Sequence, residues 1–365
     1  MSHAATPPSL EPIVAAFAVR GRFVSAAPYG NGHINQTLLV VMADDGGLRR
    51  YIFQKINHRI FKNVPALMDN IRRVTAHIGQ KSPRAIALVL TRDGRPVLQD
   101  ASGDWWRAYD FIEGAHTVDQ VTSESQACEA ARAFGEFSAQ LVDVPGGRFH
   151  ETIPRFHDTR SRFEDLRAAI AADTCNRAVH ARAEIEFALA READTDVLLG
   201  LLARGEVRER VTHNDTKINN VMLDDVTGRG VAVIDLDTVM PGLPLYDFGD
   251  LVRTSASSTA EDDPDPTRMH LKLPLYRALV SGYLETAGDA LNATERAHLG
   301  FAGKLMTFEV GIRFLADYLQ GDIYFRTKSP EHNLVRARTQ LALVRSIEIE
   351  QDAMARIVAE VHGAG

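Results

Sequence analysis

The sequence predicts an α+β chain in two unequal parts, a small β-rich one over residues 1–108 and a larger, mainly helical one over 115–365, joined at 109–114. Three observations predict it. Short β-branched and apolar runs separated by Gly, Asp and Pro turns fill the first hundred positions. From Ser123 onward, long Ala-rich stretches bring apolar residues back every three or four positions. A length of 365 residues with 45% hydrophobic and 24% charged side chains is that of a globular protein with room for two or three domains.

The elements follow in order. Residues 22–27 read as a strand, Pro28-Tyr29-Gly30-Asn31-Gly32-His33 as a loop, and 34–42 and 48–56 as two strands joined by the hairpin signal Asp44-Asp45-Gly46-Gly47. Leu67, Ile71, Val74 and Ile78 mark one face of a helix over 64–78. Strands are then expected at 86–91, 96–98 and 105–112. Ser123-Glu124-Ser125-Gln126 is a capping box that opens a helix to about Val142. Further helices are expected over about 159–172, 179–203, 274–286, 293–320 and 333–360, interrupted by a strand-like block at 210–239. The acidic run Glu261-Asp262-Asp263-Pro264-Asp265 reads as a solvated loop.

Composition excludes several classes of function. The balance of 41 basic against 48 acidic residues, net −7, argues against a nucleic-acid surface, which needs concentrated positive charge. The last 65 residues carry eight of each sign, so no charged tail is hidden there. Two cysteines are too few for a disulfide framework or a Cys-rich zinc site. No apolar run approaches a bilayer span, and the early run at 13–19 lacks a basic flank, so neither membrane insertion nor a signal peptide is expected. A cytoplasmic monomer is the expectation.

The chemistry concentrates in His213-Asn214-Asp215-Thr216-Lys217-Ile218-Asn219-Asn220, followed by an apolar strand, a turn at Gly228, and a second apolar strand ending in Asp235-Leu236-Asp237. Phosphoryl transfer needs such a set: an aspartate to receive the acceptor's proton, an amide and a second carboxylate for Mg²⁺, and a cation for the transferred group. Asp215, the pair Asn220 and Asp235, and Lys217 are the candidates in that order. Asp247-Phe248-Gly249 comes 32 residues after Asp215, past the end of this hairpin, and is given a structural role.

These residues resemble the catalytic and metal-binding loops of protein kinases and the aminoglycoside phosphotransferase-like kinases. The resemblance implies a protein kinase-like bilobal fold using ATP and Mg²⁺. It places Lys55 on the nucleotide phosphates, paired with Asp69, the only acidic residue between Lys55 and Asp93. It also implies a phosphate-covering loop at Gly30, Asn31 and Gly32, and adenine contacts from the hinge between Asp110 and Ile112. No Ala-Pro-Glu activation segment follows, which speaks against a protein kinase.

Within that superfamily the wording is similar to the N-acetylhexosamine 1-kinase family from about residue 22 to 350, in Pro28–Asn35, His213–Asn220, Ile234–Gly242, Tyr246–Asp250, Gly311–Leu319, Gly321–Phe325 and Pro330–Arg336. The resemblance implies phosphorylation of the anomeric hydroxyl of N-acetylglucosamine or N-acetylgalactosamine, with Arg313 gripping the sugar. Asp237 is a further carboxylate for a ring hydroxyl, on the expectation that it shares an extended face with Asp235. Tyr324 and Phe325 are candidates for an apolar wall and His33 for a contact to substrate. Glu309, Arg313 and Asp317 could instead form an ion-pair ladder at i, i+4 and i+8. Two alternatives remain: the same chemistry on an aminoglycoside, choline-like amine or other sugar, and a nucleotide-binding scaffold without turnover.

Overall fold

The structure of the chain, a computed structural model, describes residues 10–30 and 34–363, and these fall into two compact units. The first comprises residues up to 115 together with 143–153, and the second comprises 116–142 and 154 onward.

In the first unit, α1 (Glu11–Ala15) precedes β1 (Arg22–Pro28), β2 (Gln36–Asp44) and β3 (Gly47–Ile56). The Asp44↔Gly47 register closes the expected hairpin. Helix α2 (Val64–Ile78) follows, opened by Asn63, whose Oδ1 accepts from Ala66 N at 3.1 Å. The strands β4 (Leu88–Val89), β5 (Leu98–Gln99) and β6 (Trp105–Asp110) complete an antiparallel sheet of order β1-β2-β3-β6-β4, with β5 against β6. Ile13, Val14, Phe17 and Val19 bury against Val40, Met42 and Phe53, so the early apolar run belongs to this unit's core.

Segment 143–153, expected with the helical part, packs on α2 instead. Asn70 and His150 exchange two hydrogen bonds, Asn70 Nδ2 to His150 O at 2.8 Å and His150 N to Asn70 Oδ1 at 3.0 Å. Arg73 donates to the carbonyls of Pro145 (2.9 Å) and Gly147 (2.6 Å). These polar contacts join positions some seventy to eighty residues apart, which no local pattern announces.

After β7 (Ala115–His116), the second unit opens on α3 (Glu124–Gln140), capped by Ser123 accepting from Gln126 N at 3.2 Å. The return bond differs from the expected box, because Gln126 Oε1 accepts from Thr122 N at 2.9 Å. Next come α4 (Thr159–Ala172), α5 (Arg182–Leu189) and α6 (Val197–Ala203). The single helix expected over 179–203 is broken between α5 and α6, where Glu192 and Asp196 turn to meet Arg160 of α4 at 2.9 and 2.8 Å. Then follow β8 (Arg210–Thr212), β9 (Val221–Asp224), β10 (Gly230–Val233), β11 (Met240–Gly242), α7 (Pro244–Ser255), α8 (Leu273–Ala287), α9 (Ala293–Ala297), α10 (Leu299–Gln320) and α11 (His332–Gly363). The helix expected over 293–320 breaks at His298, because buried Glu295 anchors α9 to Arg210 at 2.8 Å.

Helices α4, α5, α10 and α11 share a core of Phe163, Leu166, Phe308, Ile312, Leu315 and Val344. Helix α8 approaches α3 so closely that a Cβ on Gly282 would stand 2.1 Å from the Cys128 carbonyl oxygen, which makes glycine obligatory there. Among the described residues no helix is long and apolar enough to cross a membrane.

Candidate active site

The site is built on the loop between β8 and β9. Asn214 takes a left-handed conformation, φ 63°, uncommon for a residue with a side chain and sustained only when its surroundings hold it. Here they do. Asp247 of α7 accepts from His213 N at 2.9 Å and Asn214 N at 2.7 Å. Asp215 N donates to His213 Nδ1 at 3.2 Å, and Thr216 N donates to Asp250 at 3.1 Å. Four consecutive N–H groups thus have side-chain acceptors. A backbone N–H is always the donor, so His213 Nδ1 carries no proton and its Nε2–H donates to Ile234 O at 3.0 Å. The Asp247-Phe248-Gly249 aspartate therefore bonds the backbone of the loop, and burial pushes its carboxyl above the ordinary range.

The Asn214 side chain ties this loop to the β8–β11 pair, donating to Thr238 O at 3.0 Å and accepting from Thr212 Oγ1 at 3.0 Å. Gly242 lies under it, and a Cβ there would fall 2.7 Å from Asn214 Oδ1. On this frame Asp215 meets two of the expected residues. Lys217 Nζ stands 3.0 Å from Asp215 Oδ1, and Asn220 Nδ2 lies 3.3 Å from Oδ2 and 2.9 Å from the Asp215 carbonyl. The Asp215 charge raises the Lys217 pKa, so the ammonium stays charged.

Strands β9 and β10 pair antiparallel, with Val221 opposite Val233, and Ile234 N donates to Asn220 O at 2.9 Å. That bond sets Asn220 beside the chain that continues into Asp235. Asp235 itself is left-handed, φ 59°, and exposed. The next residues coil into a 3₁₀ turn, Leu236–Thr238. The expected extended face is therefore absent: Asp235 points to the surface while Asp237 is 4% exposed.

Arg313 sits on α10. Of the i, i+4, i+8 ladder the Glu309–Arg313 rung forms, and the rung to Asp317 does not. Asp317 instead accepts from Tyr324 N (2.8 Å), Phe325 N (2.9 Å) and Asn333 Nδ2 (2.8 Å), which folds the 321–325 loop onto the helix. The Arg313 guanidinium reaches Glu309 only at 3.8 Å and lies between the rings of Phe156 (5.6 Å) and Phe325 (5.7 Å). Phe325 packs on Phe314 at 4.6 Å, whereas Tyr324 is 68% exposed. The acidic run is a loop solvated only at Pro264 and Asp265: Glu261 accepts from Arg253 at 2.8 Å and Arg336 at 2.6 Å, and Asp262 from Lys328 at 2.6 Å.

Sequence reasoning missed His157 and the buried position of Glu309. His157 Nδ1 lies 2.9 Å from Glu309 Oε1, and its Nε2 lies 3.1 Å from the Asn214 carbonyl oxygen. The available signal was a glutamate inside the apolar stretch Phe308-Glu309-Val310, since a carboxylate at a buried position requires a partner.

In the first unit, Lys55 of β3 pairs with Asp104 at 2.5 Å, and Asp69 of α2 bonds Arg72 at 3.0 Å and His150 at 3.2 Å. The expected Lys55–Asp69 pair is thus replaced. Lys55 registers opposite Trp106, and Asp104, two residues before Trp106, falls on the same face. Asp110 N donates to Ala87 O at 3.0 Å and Phe111 N to Arg50 O at 3.3 Å, so those hinge donors are engaged within the unit. Gly30 takes a left-handed φ of 74°. Asn31, Gly32 and His33 lie outside the described residues.

With this geometry in view, the comparisons with known proteins are specific about family and fold. The model of the phosphotransferase enzyme family matches residues 25–291. Similar solved structures include the microcompartment-associated aminopropanol kinase, 17% identical with a TM-score of 0.58 over 94% of this chain and 97% of that one. An aminoglycoside phosphotransferase from Alicyclobacillus acidocaldarius is 16% identical, with a TM-score of 0.59 over 99% of both chains. A spectinomycin phosphotransferase in complex with ADP and spectinomycin is 12% identical, with a TM-score of 0.55 over 95% of this chain and 99% of that one. At these identities the likeness establishes a shared kinase-like α+β fold.

Proposed function

The chain belongs to the phosphotransferase enzyme family, and from that premise we propose that it transfers the γ-phosphoryl group of ATP to the anomeric hydroxyl of an N-acetylhexosamine in the cytoplasm. The observation that carries the chemistry is the Asp215 carboxylate, held on a loop whose backbone is bonded on every side, with Lys217 and Asn220 at hydrogen-bond range. Asp215 accepts the proton of the acceptor hydroxyl as its oxygen bonds phosphorus and the bond to the β-phosphate oxygen breaks, releasing ADP. Lys217 offsets the charge of the transferred group. Such catalysis is mainly positioning, and the loop supplies it before substrate arrives.

Asn220 and Asp235 suit Mg²⁺, a hard cation that takes oxygen donors and is usually held through one or two side chains and substrate phosphates. The Asn220 amide nitrogen is engaged by Asp215, which leaves its oxygen for a cation. When bound, Mg²⁺ neutralises charge on the β- and γ-phosphate oxygens. Lys55 serves the nucleotide phosphates from β3, and the Ile112 peptide serves the adenine, because the neighbouring Asp110 and Phe111 donors are engaged. The expected outcome for Asp235→Ala is at least about tenfold weaker Mg²⁺-dependent nucleotide binding; a Mg²⁺ titration that overlays the wild type would reassign the ligand.

The acceptor reading rests on charge. Glu309 is paired with His157, and Asp317 is occupied by two backbone amides and Asn333, so α10 offers Arg313, flanked by the rings of Phe156 and Phe325, rather than free carboxylates. A cationic aminoglycoside or choline-like amine would call for the opposite pattern. The test is ATP consumption with N-acetylglucosamine, N-acetylgalactosamine, glucose, galactose, choline and kanamycin, with phosphorus NMR on the product. A C1 phosphate on an N-acetylhexosamine supports the reading, turnover only with another acceptor replaces the substrate, and no turnover favours a scaffold. Arg313→Ala should raise the KM for the sugar about tenfold or more, as loss of a charged hydrogen bond does, with the KM for ATP unchanged. An unchanged sugar KM would remove Arg313 from the acceptor site.

A further inference from the structure

We propose that His157 is a positioning residue of the catalytic loop, an imidazolium carried by Glu309 that bonds the Asn214 carbonyl and holds the left-handed turn presenting Asp215. The proposal rests on the phosphotransferase reading of that loop. Both ring nitrogens face acceptors, a carboxylate at 2.9 Å and a carbonyl at 3.1 Å. A neutral imidazole has one N–H and would satisfy only one of them; the cation has two. Asp247 grips the N–H of Asn214 and His157 grips its carbonyl, so the left-handed residue is clamped from both sides. Asp215 follows immediately, and any relaxation of Asn214 swings its carboxylate.

The pair is isolated from solvent, His157 side chain 7% exposed and Glu309 0%. From α4, Thr159 Oγ1 donates to the second Glu309 oxygen at 2.7 Å, and from α10 Arg313 approaches the first at 3.8 Å. Helix α7 contributes the Tyr246 ring, 5.5 Å from the imidazole, and the charges of Asp247 and Asp250; the Phe156 ring lies alongside, tilted, with its centre at 4.5 Å. Burial alone would lower the His157 pKa. The Glu309 charge and hydrogen bond, the Asn214 carbonyl and Asp250 outweigh it and hold the pKa above the ordinary imidazole value. Because the folded pKa is raised, the latch is complete below the ordinary imidazole value and is lost as pH rises through the folded one.

The test uses the full chain. Nitrogen-15 NMR of labelled histidine, assigned with His157→Gln, should find His157 doubly protonated at pH 7.5, and the Asp215 amide resonance should follow the same titration. Glu309→Gln should move that midpoint down by about one pH unit or more. Where an acceptor turns over, the alkaline limb of kcat should move with it, and His157→Gln should lower kcat about tenfold or more with the KM for ATP kept within twofold. A purely structural histidine would change stability without moving the limb. A neutral imidazole at pH 7.5, or an Asp215 resonance and a kcat profile indifferent to both substitutions, overturns the proposal. If no acceptor in the panel is phosphorylated, the functional reading fails, and the NMR titration alone decides the latch.

Discussion

Replacing Asp215 by Asn lowers turnover by about 10²–10⁴-fold, the usual contribution of a positioned proton acceptor, while nucleotide affinity stays within a few fold. The substitution is nearly isosteric, so Asn220 keeps its contact to the Asp215 carbonyl and the loop keeps its backbone bonds. What disappears is the group proposed to take the hydroxyl proton, together with the charge that raises the Lys217 pKa. Steady-state kinetics read the loss, and titration calorimetry with ATP reads the retained affinity. Turnover within tenfold of wild type would show that the proton goes elsewhere. A nucleotide-binding scaffold would show no change at all.

The second large effect is expected on stability. Asp247→Ala removes the acceptor of two buried N–H groups, His213 at 2.9 Å and Asn214 at 2.7 Å. Each unsatisfied donor costs about 1–3 kcal/mol. The variant should lose about 3–5 kcal/mol in chemical denaturation, with kcat falling as Asn214 is released. Asp247→Asn, which retains one acceptor oxygen, should fall between the two. An Asp247→Ala protein with the wild-type denaturation midpoint would mean that the carboxylate does not hold the loop.

Local pattern made much of the architecture legible. The 3.6-residue periodicity of 64–78 and the Asp-Asp-Gly-Gly turn report interactions between near neighbours, so α2 and the β2–β3 hairpin fall where the sequence places them. Breaks in helices were not legible, because the turn between α5 and α6 and the kink at His298 depend on partners far along the chain, Arg160 and Arg210. The same difference governs the site. Asp215, Lys217 and Asn220 lie within six residues of one another, and their meeting follows from a tight loop before a strand. Asp69 failed as the partner of Lys55 because a cross-strand neighbour, Asp104, lies on the same face.

From the sequence alone came the α+β order of elements, the hairpin that leads from Asn220 to Asp235, and the close spacing of Asp215, Lys217 and Asn220, all of which depend on local contacts. Tertiary structure alone decided that Asp247 would clamp the loop and that Asp237 would be buried while Asp235 is exposed. It also brought His157 to Glu309 across about 150 residues of chain. The reason is physical: a buried charge selects its partner by where the packed helices place it, and that placement is a property of the whole core rather than of any stretch of sequence.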